Sequence, residues 1–295
     1  MFSDRIEVNG RTFDLVCVRR SEVGVYRGDD AYLRIGSATV PEVALQRRLL
    51  ADGFPVAEIL EVGEHAGSPY FIEASLGPDT WGDLIQEQID AGGRVSDEEF
   101  WVFADVMLRW ARAQLGGVRR PWHTTDLAGF LGVARAVDNV PALAAPIRAA
   151  FEQAVAVLRD LPGALQHDDL HAFNTCRGGV IDLEGVAWAV AGYDVATAVL
   201  EPSLAEARWD DGRLSLAWFT EDQVGDYLQR LDDTFLHASA PPPSALVDAY
   251  LVCRAISACS HIPRDEAVWT GRRDTLERVL APFLDAGELP LGFSR

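Results

Sequence analysis

The chain has 295 residues, of which 48% are hydrophobic, and this is enough to bury a sizeable core in one large or two modest domains. Its net charge of −19 argues against nucleic acid and anionic membranes as partners, because both would repel it. It contains no apolar run of about 18 residues and does not begin like a signal peptide, so a cytoplasmic protein is expected. The four cysteines lack paired spacing and are expected to be reduced, and none is assigned to a metal.

The first 75 residues show the short alternating runs that are typical of antiparallel strands, with one helix among them. Asn9-Gly10 is a strong hairpin signal between the first two strands. The pattern predicts strands over residues 6–8, 12–18, 23–27, 31–35, 57–62 and 70–74, and a helix that starts at Pro41 and ends before Gly53. Residues 75–78 are expected to form a hinge into the remainder of the chain.

The remainder has a mainly helical pattern. Ser96 and Glu99 form a capping box for a helix that Gly116-Gly117 ends. Further helices are predicted over residues 140–161, from 193 onward, and over 221–236, 244–261 and 265–283. The helical pattern is interrupted between residues 162 and 192, and this stretch carries the polar residues of most interest.

One stretch has the composition that phosphoryl transfer needs: a carboxylate to orient an acceptor hydroxyl and oxygen ligands for Mg²⁺. His167, Asp169, Leu170 and Asn174 fit the catalytic-loop pattern H-x-D-L-x-x-x-N. Asp182 follows a short apolar strand after the Gly178-Gly179 turn. The spacing therefore predicts that loop, hairpin and second carboxylate converge on one cleft.

These segments resemble those of the aminoglycoside phosphotransferase and choline kinase group, small-molecule kinases that read His-Gly-Asp-Leu-His-x-x-Asn and then Ile-Asp-x-Glu. Here the segments run over residues 167–174 and 181–184, with Asp168 in place of the usual glycine. The resemblance implies that Asp169 is the catalytic base and that Asn174 and Asp182 bind Mg²⁺. His167 would orient the loop, and Asp194 would cap the next helix or brace the loop.

The resemblance also implies a fold and a set of ligands. The fold would be an α+β, two-lobed, protein-kinase-like one, with a small antiparallel-sheet lobe over residues 1–77 and a larger, mostly helical lobe over 78–295. The ligands would be ATP, or another nucleoside triphosphate, together with Mg²⁺ and a small molecule that carries the acceptor hydroxyl. The oligomeric state is not predicted.

In the first lobe a kinase uses a strand lysine, held by a helix glutamate, to bind phosphates. All 26 basic residues of this chain are arginines, and Arg34 stands in the lysine position with Glu42 as its expected partner. An ion pair on an exposed strand edge is the simpler alternative. Ser21 is expected in a turn that covers the phosphates, and the backbone from Glu73 to Ser75 is expected to bind adenine.

The acidic pairs at residues 210–211, 221–222 and 232–233 lie where the group builds its acceptor pocket, so a cationic acceptor is expected. Solvated helix ends are the alternative for each pair.

Three other functions were weighed against a kinase. A nucleotide-binding pseudokinase is suggested by Arg34 and by the missing glycine-rich loop. A zinc hydrolase would need His167 and His171 on one helix face. A polar turn in which Asp and Asn only cap the backbone would have no catalytic role.

Overall fold

The computed structural model describes residues 2–19, 22–116, 120–205, 209–210 and 212–292. Six strands form one antiparallel sheet in the order β1-β2-β3-β4-β6-β5. The sheet consists of β1 (Arg5–Val8), β2 (Arg11–Val18), β3 (Gly24–Arg27), β4 (Ala31–Ile35), β5 (Ile59–His65) and β6 (Ser68–Ala74). The predicted hairpin at Asn9-Gly10 is confirmed, because both residues take the positive φ that such a turn requires.

One face of this sheet has its own hydrophobic cluster, which includes Phe13, Tyr26, Leu33 and Ile72. Each fully buried side chain of this size contributes about 1.5–3 kcal/mol to folding. Helix α1 (Thr39–Ala51) lies between β4 and β5 in sequence and contacts β5 and β6. It begins two residues before Pro41, so the predicted start was slightly late.

The rest of the described chain is mostly helical around a second and larger core. Its helices are α2 (Trp81–Gly92), α3 (Asp97–Gly116), α4 (Thr124–Phe130), α5 (Val133–Asn139), α6 (Ala144–Leu158), α7 (Tyr193–Ala198), α8 (Glu201–Ala205), α9 (Glu221–His237), α10 (Val247–Ala258) and α11 (Glu266–Ala286). In the described ranges no single helix is long and apolar enough to cross a membrane. Residues 133–139 and 141–158 meet those criteria only as a pair, which bends by 115°.

Three short strand pairs complete this part: β7 (Gly163–Gln166) with β10 (Ala187–Val190), β8 (Thr175–Cys176) with β9 (Gly179–Val180), and β11 (Trp209–Asp210) with β12 (Arg213–Leu214). The β8–β9 hairpin contacts the segments that flank the large sheet. Gly178 N–H donates to Leu76 O and Val180 N–H donates to Pro55 O, each at 2.7 Å. A Cβ atom on Gly179 would lie 2.1 Å from the Pro55 oxygen, so only glycine permits this approach.

Candidate active site

The H-x-D-L-x-x-x-N stretch leaves β7 as an irregular loop and ends in a 3₁₀ turn at residues 172–174. His167 is 1% exposed, and its Nε2 donates a hydrogen bond to the Ile181 carbonyl at 2.8 Å. Burial lowers the pKa of His167, which favours the neutral ring that makes this bond. His167 thereby joins the loop to the residue before Asp182. Residues 167–171 are not helical, so the zinc-hydrolase alternative loses its geometric basis.

Asp194, in the first turn of α7, supports the start of the loop. Its Oδ2 accepts a hydrogen bond from the backbone N–H of His167. Its own N–H donates to Gln166 Oε1 at 3.2 Å. Burial raises the pKa of Asp194 to about 7. Asp194 is expected either to cap the next helix or to brace the loop, and its contact with the His167 N–H braces the loop.

Asp169 lies at the surface of the loop, with a side chain that is 62% exposed. His171 Nδ1 accepts the N–H of Phe173 at 3.1 Å, so a neutral His171 carries its proton on Nε2. That Nε2 lies 3.3 Å from Asp169 Oδ2, and Arg254 Nη2 lies 3.4 Å from Oδ1. The hydrogen bond from His171 and the positive charge of Arg254 hold the pKa of Asp169 below its usual range. Asp169 is therefore an ionised acceptor that can orient a hydroxyl group.

Asn174 and Asp182 are brought together by the β8–β9 hairpin, at whose end Ile181 N–H donates to Asn174 O at 3.0 Å. Asn174 Nδ2 donates to the Asp169 carbonyl at 2.9 Å. Asp182 has a φ of +61°, in the left-handed region. Both side chains line a cavity of about 470 Å³ in the cleft between the large sheet and the helical part, which we call the cleft cavity. Its walls also include Val25, Ala57, Leu76 and Ile181.

Arg34 also lines the cleft cavity, but its expected pairing with Glu42 is wrong. Arg34 Nε lies 2.6 Å from Oε1 of Glu73, which faces it from the neighbouring strand β6, and Gln46 Nε2 donates to Glu73 Oε2 at 2.7 Å. Although burial opposes the charge, Glu73 raises the pKa of Arg34. The alternative of an exposed ion pair is also wrong, because the two side chains are 12% and 7% exposed. The side chain of Glu73 therefore holds Arg34.

Glu42 instead contacts Arg19, a residue for which the sequence predicts no role. Arg19 Nη1 lies 3.3 Å from Glu42 Oε1, its Nε lies 2.8 Å from Glu184 Oε1, and its Nη2 pairs with Asp182. One feature of the sequence could have suggested a role for Arg19, namely its position just before the turn expected to cover the phosphates. Nothing in its local pattern pointed to the carboxylates, because two of them lie more than 160 residues away.

The two serines proposed for nucleotide binding have different outcomes. Ser75 N–H donates to Asp30 O at 3.0 Å, and the cleft cavity is lined by Ala74 and Leu76 rather than by Ser75. The Ser75 N–H is therefore already used, while the expectation that the backbone from Glu73 to Ser75 binds adenine stays a prediction. Ser21 lies outside the described residues.

A second cavity, of about 520 Å³, lies beside Asp169, and we call it the acceptor-side cavity. Arg254 of α10 donates to the Asp168 carbonyl at 3.0 Å and lies 3.6 Å from Glu201. Neither Arg254 nor Glu201 was identified from the sequence, because helical residues far along the chain carry no motif. The cavity also has an apolar wall of Phe130, Leu204, Ala255, Ile262, Pro263 and Val268.

The described members of the acidic pairs expected around the acceptor do not line this cavity. Glu221, Asp222 and Asp232 line a separate depression, and Asp233 lines another beside Arg230. Glu221 and Asp222 form the first turn of α9, where negative charge is favourable to the helix dipole. Asp210 belongs to β11, and Asp211 lies outside the described residues. The expectation that these pairs form the acceptor site stays a prediction.

Asp168, which replaces the glycine of the resembling kinases, has a φ of +77°. This conformation suits glycine and costs about 1 kcal/mol or more for other residues. We expect Asp168→Gly to raise the free energy of unfolding by about 1 kcal/mol, measured by urea unfolding. Burial raises the pKa of Asp168 to about 6, so the folded chain keeps a proton that the unfolded chain loses near pH 4.

Ionisation of Asp168 therefore opposes folding increasingly as the pH rises from about 4 through 6. The gain from Asp168→Gly should be larger at pH 8 than at pH 4.5. Asp168→Asn is the matched control, because it removes the charge but keeps the backbone strain, so only the pH-dependent part should appear. A loss of stability in Asp168→Gly at both pH values would contradict this account.

Comparison with known proteins gives structural matches only: no family model and no curated protein sequence matches the chain. The crystal structure of a choline/ethanolamine kinase family protein from Mesorhizobium loti aligns over 93% of this chain and 92% of its own, with 14% identity and a TM-score of 0.53. An aminoglycoside-3'-phosphotransferase of type VIII aligns over 94% of each chain, with 17% identity and a TM-score of 0.46.

A third solved structure is the aminoglycoside phosphotransferase APH(3'')-Id from Streptomyces rimosus in complex with ADP and streptomycin. It aligns over 91% of this chain and 92% of its own, with 14% identity and a TM-score of 0.44. At such low identities the likeness concerns the fold alone. The comparison of folds rests on the choline/ethanolamine kinase family protein, with its TM-score of 0.53. The α+β architecture predicted from the sequence is thereby confirmed: an antiparallel sheet with one helix, followed by a larger helical part, in the kinase-like fold of that protein.

Proposed function

We propose that this protein is an ATP- and Mg²⁺-dependent phosphotransferase that moves the γ-phosphoryl group of ATP, or of another nucleoside triphosphate, to a hydroxyl of a small molecule. One observation carries the proposal: Asp169 and Asn174 are hydrogen-bonded neighbours, yet Asp169 lines the acceptor-side cavity and Asn174 lines the cleft cavity. A carboxylate at this boundary can hold a hydroxyl in line with a phosphoryl group on the other side. Such an enzyme would work in the cytoplasm, where nucleoside triphosphates are available.

Asn174 and Asp182 would hold the metal. Because Asn174 uses its Nδ2 for Asp169, its Oδ1 is the atom left for a cation. In phosphoryl-transfer sites Mg²⁺ takes one or two carboxylates and completes its shell with water and phosphate oxygens, so this sparse donor set fits. The described residues include no cluster of three or more His, Cys, Asp or Glu that could hold a metal. When bound, Mg²⁺ supplies positive charge to the phosphate oxygens.

His167 and Asp194 would position the base. His167 ties the loop to the segment before Asp182, and Asp194 holds the backbone of His167. Asp169 would accept the hydrogen bond of the acceptor hydroxyl and take its proton late in the transfer, because its low pKa makes it a weak base. Orientation is then its larger contribution.

The acceptor would bind in the acceptor-side cavity. Its lining includes the carboxylates of Asp168, Asp169 and Glu201 and the guanidinium groups of Arg254 and Arg272, so the excess negative charge of the whole chain is not concentrated there. The lining also includes apolar side chains. This composition favours a hydroxylated molecule with an apolar body and few charges over one with several amino groups, and it revises the expectation of a cationic acceptor.

A pseudokinase remains the second candidate function, and specific contacts favour it. Arg34 is engaged by Glu73, and Arg19 is engaged by the expected metal ligand Asp182. A protein that binds nucleotide only to sense it or to provide a scaffold can keep both ion pairs, Arg34 with Glu73 and Arg19 with Asp182. A kinase needs Asp182 to exchange Arg19 for a metal.

The deciding experiment measures acceptor-dependent ADP formation with ATP and Mg²⁺. The panel should contain aminoglycosides, other hydroxylated antibiotics, choline-like alcohols, amino acids and sugars, and mass spectrometry should identify a phosphate ester. We expect turnover with at least one acceptor, and with apolar alcohols above polyamines. Nucleotide binding without turnover by any acceptor would favour the pseudokinase.

Asp182→Ala should remove most of the dependence of ADP binding on Mg²⁺. Loss of groups that only support a metal ligand costs about 10–100-fold in metal affinity, so loss of a ligand itself should cost at least as much. Calorimetric titration of ADP with and without Mg²⁺ measures the effect. Asp79→Ala, which removes another carboxylate that lines the cleft cavity, is the control and should keep the dependence. Equal dependence in Asp182→Ala and wild type would point to a different ligand set.

A further inference from the structure

Arg19 connects the two parts of the molecule through one guanidinium group that is largely shielded from solvent. The residue follows β2, and its side chain is 11% exposed. Its backbone N–H donates to Val23 O at 2.9 Å, which fixes the end of the strand. Three carboxylates surround the guanidinium: Glu42 on α1, and Asp182 and Glu184 after the β8–β9 hairpin.

Each of the three guanidinium nitrogens has a different carboxylate as partner. Nη1 faces Glu42 at 3.3 Å, Nε faces Glu184 at 2.8 Å, and Nη2 pairs with Asp182. Arg34 also attracts Glu42 and Asp182 electrostatically, so Arg19 is not the sole positive charge near them. Burial raises the pKa of Glu42, while Arg19 and Arg34 oppose this rise. Arg19 is therefore a cation that a metal at Asp182 would have to displace.

The second arginine of the cleft cavity is held differently. Arg34 is bound within the sheet by Glu73, on the neighbouring strand, and Glu73 is in turn held by Gln46. In protein kinases the cation that contacts phosphate is positioned by a glutamate of the helix that follows the strand. In this chain the helix glutamate is Glu42, and its partner is Arg19.

We propose that Arg19, rather than Arg34, is the residue that binds the nucleotide phosphates, and that in the nucleotide-free chain it neutralises the metal carboxylate Asp182. This inference rests on the proposed function. Arginine suits the role because its fork can donate two parallel hydrogen bonds to a phosphate group. Its position beside Glu42 would remain, while Asp182 would exchange Arg19 for the metal.

Removal of the Arg19 side chain should have opposite effects on metal binding and on nucleotide binding. Without nucleotide, Arg19 competes with a metal for Asp182, so its removal should tighten metal binding. With nucleotide, Arg19 contributes a charged hydrogen bond to phosphate, so its removal should weaken nucleotide binding. A residue that only supports the structure would, when removed, weaken both.

The test uses Arg19→Met, which keeps the apolar stem and removes the charge, with Arg11→Met on the exposed part of β2 as the matched control. Calorimetry measures the affinity of the protein for ADP and for adenosine. The electron paramagnetic resonance signal of free Mn²⁺ measures metal binding without nucleotide. We expect Arg19→Met to bind ADP about 10–100-fold more weakly, which is the usual value of a hydrogen bond to a charged group. In Arg19→Met the affinity for adenosine should change by less than about twofold, and Mn²⁺ should bind more tightly. Arg11→Met should match wild type in all three affinities.

Unchanged ADP affinity, or parallel losses of ADP and adenosine, would overturn the inference. If Arg19→Met does not fold, Arg19→Lys decides: it keeps the charge but not the fork, and it must weaken ADP binding and leave adenosine unchanged. Equal ADP affinity in Arg19→Lys and wild type would then overturn the proposal. A wild type that binds ADP but phosphorylates no acceptor would defeat the proposed function and leave the role of Arg19 intact, whereas a wild type that does not bind ADP would defeat both.

Discussion

Asp169→Asn is expected to lower kcat by about 10²–10⁴-fold, which is the usual contribution of a positioned acid–base group. The amide has nearly the same shape as the carboxylate, but it cannot take the proton of the acceptor hydroxyl. Asp169 is an ionised group held by His171 and Arg254, so the substitution also removes a negative charge from the acceptor-side cavity. Acceptor-dependent ADP formation measures the loss of turnover.

Nucleotide binding should separate a loss of chemistry from a loss of structure. Asp169 lies outside the lining of the cleft cavity, so the ADP affinity of Asp169→Asn should stay within about threefold of wild type. Asp105→Asn is the matched control, because Asp105 is an exposed aspartate on α3 that pairs only locally, with Arg109. Full activity of Asp169→Asn would contradict its assignment as the base.

Arg34→Met should lower the free energy of unfolding by about 3–5 kcal/mol, because it leaves the buried carboxylate of Glu73 without its ion-pair partner. Glu73 would keep only the hydrogen bond from Gln46. Urea unfolding measures the change as a lower midpoint at constant slope. The effect should appear without any ligand, which separates this role of Arg34 from phosphate binding.

The double variant Arg34→Met with Glu73→Gln should recover much of the loss, because no buried charge is then left unpaired. Arg5→Met breaks an ion pair with Asp14 whose partners are 69% and 61% exposed, and it should change stability little. A small effect of Arg34→Met would mean that water reaches Glu73 and that the pair is not buried in solution.

Several elements could be predicted because their signals are local. The Asn9-Gly10 turn, the sheet strands and the helices α3, α9, α10 and α11 all follow from turn residues, alternation and capping patterns between near neighbours. Helix α2 was missed although its capping box, Thr80 with Asp83, is also local. The missed signal was an aspartate in the position where glutamate is usual.

The candidate site could be predicted only where it follows one contiguous stretch. Asp169, Asn174 and Asp182 were identified because the catalytic loop and the following hairpin place them within 14 residues of one another, from 169 to 182. Arg254 and Glu201 were not identified, because each reaches Asp168 or Asp169 from a helix whose sequence shows only an amphipathic pattern.

By itself, the sequence determined the sheet strands, several of the helices and the residues of the H-x-D-L-x-x-x-N loop, since all of these depend on chemistry between close neighbours in the chain. Only the tertiary structure decided which charges meet. The side chain of Arg34 can reach both Glu42 and Glu73 in principle, and the antiparallel register of β4 and β6 places Glu73 beside it. Arg19 pairs with Glu42 of α1, and packing of the β8–β9 hairpin against Leu76 and Pro55 brings Asp182 and Glu184 to the end of β2 beside it. Two charged groups form an ion pair only when the fold brings them close in space, and their separation in the sequence does not give that distance.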